Sequence, residues 1–274
     1  MDGKLISDTP RTGAENMAID DAMLQWCDEQ QQIALRIYRW SNPTLSLGYF
    51  QPWEEWRVYS AQLFLAQPPT SDGARFDSGR IVAMPGGMDV VRRRTGGGAI
   101  VHHHDWTYSL VVPWDQIKLG PTRHLYQWVH AGLVKWLEVC GFKAHLQLTS
   151  DPASKSAAFL CFQRRTEGDI LVGQHKVIGS AQRRGKRSLL QHGSVLLRQS
   201  PMALSLLGLT ELVEKPTPFS PLDKPTTFER SIQEVVGTRF DVAWTSSNNV
   251  SDFGGERISE NLALHSSTPW IERV

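Results

Sequence analysis

Residues 161–197, CFQRRTEGDILVGQHKVIGSAQRRGKRSLLQHGSVLL, decide how the chain folds. Strand-like segments over 169–173, 176–182 and 190–197 are separated by Gly173-Gln174 and Gly185-Lys186, a pattern that predicts successive antiparallel hairpins. The same stretch carries a thiol, Cys161, a lone lysine among apolar strand residues, Lys176, a small-residue run, Gly179-Ser180-Ala181, and a turn-like His192-Gly193-Ser194. A lysine in that setting can fix an electrophilic carbonyl or a negative charge, and its ammonium can favour the thiolate of a nearby cysteine. The plain alternatives are a surface lysine that buries only its stem and a cysteine that serves as a small apolar residue.

Working outward, Thr12 and Glu15 form a capping-box pair ahead of Met17, Ile19, Met23, Trp26 and Cys27, which predicts a helix over 13–30. LRIYRW, closed by Asn42-Pro43, reads as a strand, and Leu45–Phe50 as the next. Leu125, Trp128, Val129, Leu133, Trp136 and Leu137 form one apolar stripe before Gly141 and predict a helix over 122–140; alternation from Phe142 to Leu148 then predicts a strand. The Pro-, Gly- and Ser-rich segment 67–88 reads as a mobile insertion. After 199 a short helix opening at Ser200-Pro201, a Pro-rich stretch and a helix from Thr226 to about Gly237 suggest that 200–274 is a small helical extension of a 1–199 catalytic domain.

Residues 90–112, VVRRRTGGGAIVHHHDWTYSLVV, set Gly96, Gly97 and Gly98 between three arginines and three histidines. Without side chains, these glycines let a ligand lie against backbone amides, and Arg92–Arg94 add positive charge. Such a loop can hold a carboxylate, a phosphate or a long thin chain, or be a plain turn. It matches neither GxxxxGK[ST] nor GxGxxG. In a strand His102 and His104 share one face and His103 the other, with no separated His or Cys pair to complete a tetrahedral set, so no metal site is expected.

The chain has 274 residues, 41% hydrophobic and 21% charged, enough to bury a substantial core and typical of a soluble globular protein. No apolar run approaches the roughly 18 residues of a membrane-spanning helix. A formal charge of +1 gives no reason to expect nucleic acid as the partner. Three widely spaced cysteines, Cys27, Cys140 and Cys161, together with a start that lacks a basic, apolar leader, point to the cytoplasm.

Taken together, Asn16-Met17-Ala18-Ile19-Asp20, LRIYRWSNPTLSLGYFQ (35–51), VVRRRTGGGAIVHHHDWTYS (90–109), GDILVGQHKVIGSAQRR (168–184) and QHGSVLL (191–197) resemble the biotin/lipoate-protein ligase and octanoyltransferase superfamily. The resemblance implies an α+β fold: a mixed, mostly antiparallel sheet with flanking helices, like the class II synthetase-related catalytic domains. Lipoate-protein ligases typically carry Arg-Asn-Asp before the lysine strand, whereas this chain has Glu167-Gly168-Asp169. Cys161-Phe162, Thr107-Tyr108-Ser109 and Gln191–Ser194 are similar instead to the cysteine-type octanoyltransferases of lipoate biosynthesis.

That resemblance implies transfer of an octanoyl group from acyl carrier protein, through a Cys161 thioester, to a lysine of a lipoyl domain or glycine cleavage H protein, with no cofactor and no membrane or nucleic-acid partner. Lys176 would hold the acyl carbonyl. Arg93, Arg94, Thr95, Gly96, Gly97, Gly98, His102, Gly179, Ser180 and Ala181 would line the acyl channel, and His192, Gly193 and Asp169 would supply acid/base or oxyanion functions. Arg164, Arg165, Arg183, Arg184, Lys186 and Arg187 read either as a docking face for acidic carriers or as solvated strand ends and turns. The alternatives are an ATP- and Mg-dependent lipoate-protein ligase forming lipoyl-AMP and an amidotransferase between lipoyl domains.

Overall fold

The computed structural model describes residues 1–66, 76–77, 80–81, 87–117, 123–150, 158–213 and 225–273. Its centre is an eight-stranded sheet. Strands β1 (Asp2–Ser7), β2 (Ile33–Tyr38), β8 (Asp105–Pro113), β9 (Ala144–Leu146), β10 (Ile170–Val172), β11 (His175–Arg184), β12 (Ser188–Leu196) and β13 (Ala243–Ser247) lie in the order β13-β1-β2-β8-β12-β11-β10-β9. The β13-β1 and β1-β2 pairs are parallel and the other five antiparallel, in line with a mixed, mostly antiparallel sheet. Beside it, β3 (Thr44–Leu47) lies between β6 (Asp89–Arg92) and β7 (Ile100–His102). The anticipated 67–88 insertion lies largely outside the described residues; within it β4 (Phe76–Asp77) and β5 (Arg80–Ile81) pair antiparallel.

Strand alternation divides the sheet into two chemically different faces. Trp106, Tyr108, Leu110 and Val112 of β8, with Ile33, Leu35 and Ile37 of β2, join the stripe of helix α4 (Arg123–Val139) in the main core. The intervening Ala34 and Val111 face helix α1 (Gly13–Gln30) with Ile19, Met23 and Trp26. On this second face the same parity sets Arg36, Tyr38, Thr107, Ser109, His192 and Ser194, because His192 pairs with Ser109 and Ser194 with Thr107. The polar residues of the site therefore share one side of the sheet, below α1. That helix begins as its sequence predicts: Thr12 Oγ1 accepts from the Glu15 amide and Glu15 accepts from the Thr12 amide.

Helices α2 (Trp53–Ala66), α3 (Trp114–Ile117), α5 (Pro225–Phe240), α6 (Gly255–His265) and α7 (Thr268–Ile271) complete the layers. The stretch after 199 is mostly helical, and it is woven into the core rather than set beside it. Phe228, Ile232 and Val236 of α5 belong to the main core, β13 adds an edge strand, and Val250 and Phe253 pack under α1. Ser200-Pro201 starts turns rather than a helix, and a 3-10 turn follows at Leu209–Leu212. Among the described residues no helix is long and apolar enough to cross a membrane.

The C-terminal segment also grips the strand that feeds the glycine loop. Buried Arg92 donates to the carbonyls of Gly48 and Gln51 through Nη1 and to that of Ile271 through Nε; Trp270 Nε1 donates to the Arg92 carbonyl. Arg94 pairs with Asp21 at 2.7 Å, and His265 reaches the same carboxylate at 2.8 Å. Deleting residues 266–274 removes an acceptor from a buried guanidinium, so we expect a loss of about 2–3 kcal/mol and a thermal midpoint lower by about 5–10 °C. An unchanged midpoint in calorimetry would show that the grip is inconsequential.

Candidate active site

Two chain segments meet to form the site. β6 leads through Arg93, Arg94 and Thr95 into Gly96–Gly98, while the segment before β10 brings in Cys161 at the start of a short 3-10 turn, Cys161–Gln163. The Ala99 amide donates to the Phe159 carbonyl at 3.0 Å and the Cys161 amide to the Ala99 carbonyl at 2.7 Å, so the loop and the thiol are fixed to one another by backbone bonds. A Cβ on Gly98 would stand 3.0 Å from the Cys161 nitrogen, and Gly97 has φ +94°; the approach requires glycine at both positions.

Arg93 braces the loop from beneath. Its guanidinium donates to the carbonyls of Ser46, Gly96 and Gly98 at 2.7, 2.9 and 2.7 Å. Burial pushes its pKa down to about 10, which leaves it cationic at neutral pH.

Lys176 approaches from β11. Its Nζ lies 2.8 Å from Asp169 Oδ2, 3.4 Å from the Cys161 carbonyl oxygen and 3.7 Å from Cys161 Sγ. Burial opposes the charge on Lys176, but the neighbouring Cys161 and Asp169 more than offset it and raise the lysine above its ordinary pKa. Asp169 is held in turn by the Thr166 amide and hydroxyl and by Tyr126. The ammonium is thus fixed beside the sulfur by a carboxylate that is itself fixed.

A cavity of about 240 Å³ opens from Cys161. Of the residues singled out from the sequence, Arg93, Gly96, Gly97, Cys161, His102, Gly179, Ser180, Ala181, His192 and Gly193 line it. Lys176 and Asp169 stand behind Gly179, Gly98 packs under Cys161, and Thr95 bonds His192 at 2.7 Å. Arg94 does not line the cavity, because Asp21 and the Trp270 ring hold it elsewhere. His192-Gly193-Ser194 is mid-strand in β12, paired with both β8 and β11, rather than a turn.

The structure adds lining residues to which the sequence reading gave no place in the site: Met17, Tyr38, Trp40, Ser46, Ile100, Thr107, Gln182 and Ser194. Trp40 stacks on His102 at 3.8 Å between ring centres. His102 bonds Asp105 through Nδ1 at 2.7 Å and Ser46 through Nε2 at 2.9 Å, and burial lowers its pKa. Behind Ser180, His130 Nδ1 must donate to the Gly168 carbonyl, leaving Nε2 to accept from the Ser180 hydroxyl at 2.6 Å. Burial pushes His130 down to about 4, so it is neutral.

Asp20 is the most informative of the residues passed over. It is buried on α1 and receives His192 Nδ1 at 2.9 Å, the Tyr38 hydroxyl at 3.0 Å, the Ser109 hydroxyl at 2.6 Å and Arg36 at 3.3 Å. Burial opposes its charge, but His192 and Arg36 outweigh that and hold its pKa below the usual carboxylate value. A signal was present in the sequence: an acid at 20, between Met17 and Met23 on the inward stripe of a helix, is an expensive residue to bury without partners.

The six basic residues expected to form one docking face are divided. Arg164 and Arg165 follow the Cys161 turn, Arg183 donates to the Arg94 carbonyl, and Arg184, Lys186 and Arg187 lie at the far end of the hairpin, Arg184 eight residues or about 26 Å of strand from Lys176. Among the described residues no cluster of three or more His, Cys, Asp or Glu could hold a metal ion.

Comparison with known proteins identifies the family of the chain. The octanoyltransferase LipM of Oceanobacillus iheyensis is 30% identical over 213 residues, covering 77% of this chain and 68% of that protein. Its counterpart from Carboxydothermus hydrogenoformans is 35% identical over 189 residues, covering 68% and 62%, so the chain spans about two thirds of the length of these relatives. The fold is that of a lipoate-protein ligase A bound with ATP (TM-score 0.68, 17% identity, 99% of each chain covered) and of a bi-partite lipoate protein ligase from Thermoplasma acidophilum solved with its E2 lipoyl domain (TM-score 0.64, 15% identity, 99% and 96% covered). Residues 12–215 match the lipoyl protein ligase A/B catalytic domain, and the chain belongs to that family.

Proposed function

We propose that this protein is an octanoyltransferase of protein lipoylation that carries the acyl group on Cys161. The observation that supports it best is the Lys176 ammonium 3.7 Å from the Sγ of Cys161, which lines the cavity, with Asp169 holding the lysine in place. A thiolate there would be a second counter-charge for Lys176. It attacks the thioester of octanoyl-acyl carrier protein, the carrier thiol leaves, and the octanoyl chain lies along the glycine loop between Trp40, Met17 and His102. A lysine of a lipoyl domain, or of glycine cleavage H protein, then takes the acyl group.

The donor is already activated, so no ATP or metal is needed. Splitting the transfer into two steps also lets the two carrier proteins dock in turn at one mouth, where Arg164 and Arg165 offer positive charge to acidic carriers in the cytoplasm. The remainder of the chain, 200–274, serves in this reading as a support for the 1–199 catalytic part.

Intact-protein mass spectrometry after mixing with octanoyl-acyl carrier protein, without ATP, tests the proposal. An octanoyl adduct that hydroxylamine releases and a lipoyl domain accepts is the expected result. No adduct, with acceptor lipoylation only when lipoate and ATP are added, would make the protein a ligase. An adduct formed only from an octanoylated lipoyl domain would make it an amidotransferase.

A further inference from the structure

The second half of this reaction needs a proton acceptor, and Lys176 is not suited to it. The nitrogen of an acceptor lysine must lose a proton as it bonds to the acyl carbon, whereas Lys176 is held as an ammonium by Asp169 at 2.8 Å. His130 is neutral, but it lies behind Ser180, with one ring nitrogen on a carbonyl and the other on the serine hydroxyl. His102 lines the cavity, but its ring is sandwiched against Trp40, and its Nε2 faces a Ser46 hydroxyl that Arg93 also holds at 3.2 Å.

His192 shares with His102 a place on the cavity and an aspartate on Nδ1, but its Nε2 meets a threonine of the glycine loop rather than a serine that Arg93 also holds. It lines the same cavity as Cys161. Its Nδ1 is bound to buried Asp20, which fixes the ring and, in the neutral imidazole, leaves the lone pair on Nε2. Nε2 has one partner, the Thr95 hydroxyl at 2.7 Å, and Thr95 belongs to the glycine loop, the element that the acyl chain contacts. The charged and titratable groups around the ring are Asp20 from α1, with Arg36 and Tyr38 from β2 behind it, and His102 from β7.

We infer that His192, positioned by Asp20, is the base for aminolysis of the acyl-enzyme, the incoming amine taking over from Thr95 as donor to Nε2. The inference rests on the thioester reading above. A lysine arriving as the ammonium gives its first proton to solvent. As the C–N bond forms and the C–S bond breaks, the second passes to His192 Nε2, the electron pair of the C–S bond leaves with Cys161 as the thiolate, and the imidazolium returns its proton to solvent or to that sulfur. Asp20 steadies the imidazolium that forms for that moment, as a positioning residue.

The test separates the two half-reactions and uses two nucleophiles. In His192→Gln, octanoyl-Cys161 should form at close to the wild-type rate, transfer to a lipoyl-domain lysine should fall by about 100-fold or more, and release by hydroxylamine, which is already unprotonated near neutral pH, should stay close to wild type. His192→Ala should show the same split, with lysine transfer partly restored by added imidazole. Lysine transfer and hydroxylamine release falling together, neither falling, or no recovery with imidazole would each overturn the assignment. Absence of an acyl-enzyme on the wild type would instead overturn the thioester reading on which it rests.

Discussion

Replacing Cys161 by alanine should abolish octanoyl transfer, by at least about 10³-fold, while leaving the protein folded. The size of the first effect follows from the chemistry: without the sulfur there is no thioester intermediate. Ser180 lines the cavity, but its hydroxyl is committed to His130 and to Tyr108 at 2.7 Å. The small structural effect follows from the environment. Cys161 is only partly buried, and its place is fixed by backbone bonds that alanine keeps, from its amide to the Ala99 carbonyl and to its carbonyl from the Arg164 amide. A change of about 1 kcal/mol or less in unfolding free energy is expected. Cys161→Ser should be nearly as inactive, because a hydroxyl is far less acidic than a thiol. Full transfer by Cys161→Ala would remove the mechanism, and retention of an ATP-dependent lipoylation alone would turn the cysteine into a packing residue.

What could be read in the sequence follows from what is local. The hairpins of 170–196 carry their own turns and alternation, and α1 and α4 carry their own caps and stripes, so each can be read from a window of ten to twenty residues. β1 and β13 cannot: Asp2–Ser7 becomes a strand by parallel pairing with segments some 30 and 240 residues away, and parallel pairing leaves no mark in the intervening chain. The docking residues divided for a related reason: Arg184 ends the ten-residue strand β11, whereas Arg165 reaches Gln174 just before that strand begins.

The site was legible where a residue is chemically conspicuous and illegible where its meaning lies in pairing. Cys161, Lys176 and the three glycines stand out in any reading. Asp20 is one acid in a helix that has several. Only the register that aligns His192 with Ser109, and Ser109 below Asp20, makes it the anchor of the imidazole. Trp40 and His102, likewise, are 62 positions apart and meet only because β3 pairs with β7 next to the end of β2.

Lys176→Met should lower both stability and activity, and a second substitution should separate them. The methionine removes the counter-charge from a carboxylate whose side chain is 2% exposed. Breaking a buried pair in this way costs about 3–5 kcal/mol, but Asp169 keeps the Thr166 amide, the Thr166 hydroxyl and Tyr126 as donors, so about 3 kcal/mol is expected, read as a lower urea midpoint. Adding Asp169→Asn removes the uncompensated charge and should recover most of that loss. Activity should not follow. The ammonium lies against both Cys161 Sγ and the Cys161 carbonyl, and a positioned cation or donor at a reacting acyl group contributes about 10²–10³ in rate. Lys176→Arg keeps the charge and is expected to restore stability in part, but its planar fork cannot occupy the point between Asp169 and the sulfur that the ammonium fills, so transfer should stay low. If the double variant regained activity together with stability, Lys176 would be a structural ion-pair partner and the thiol would work without it.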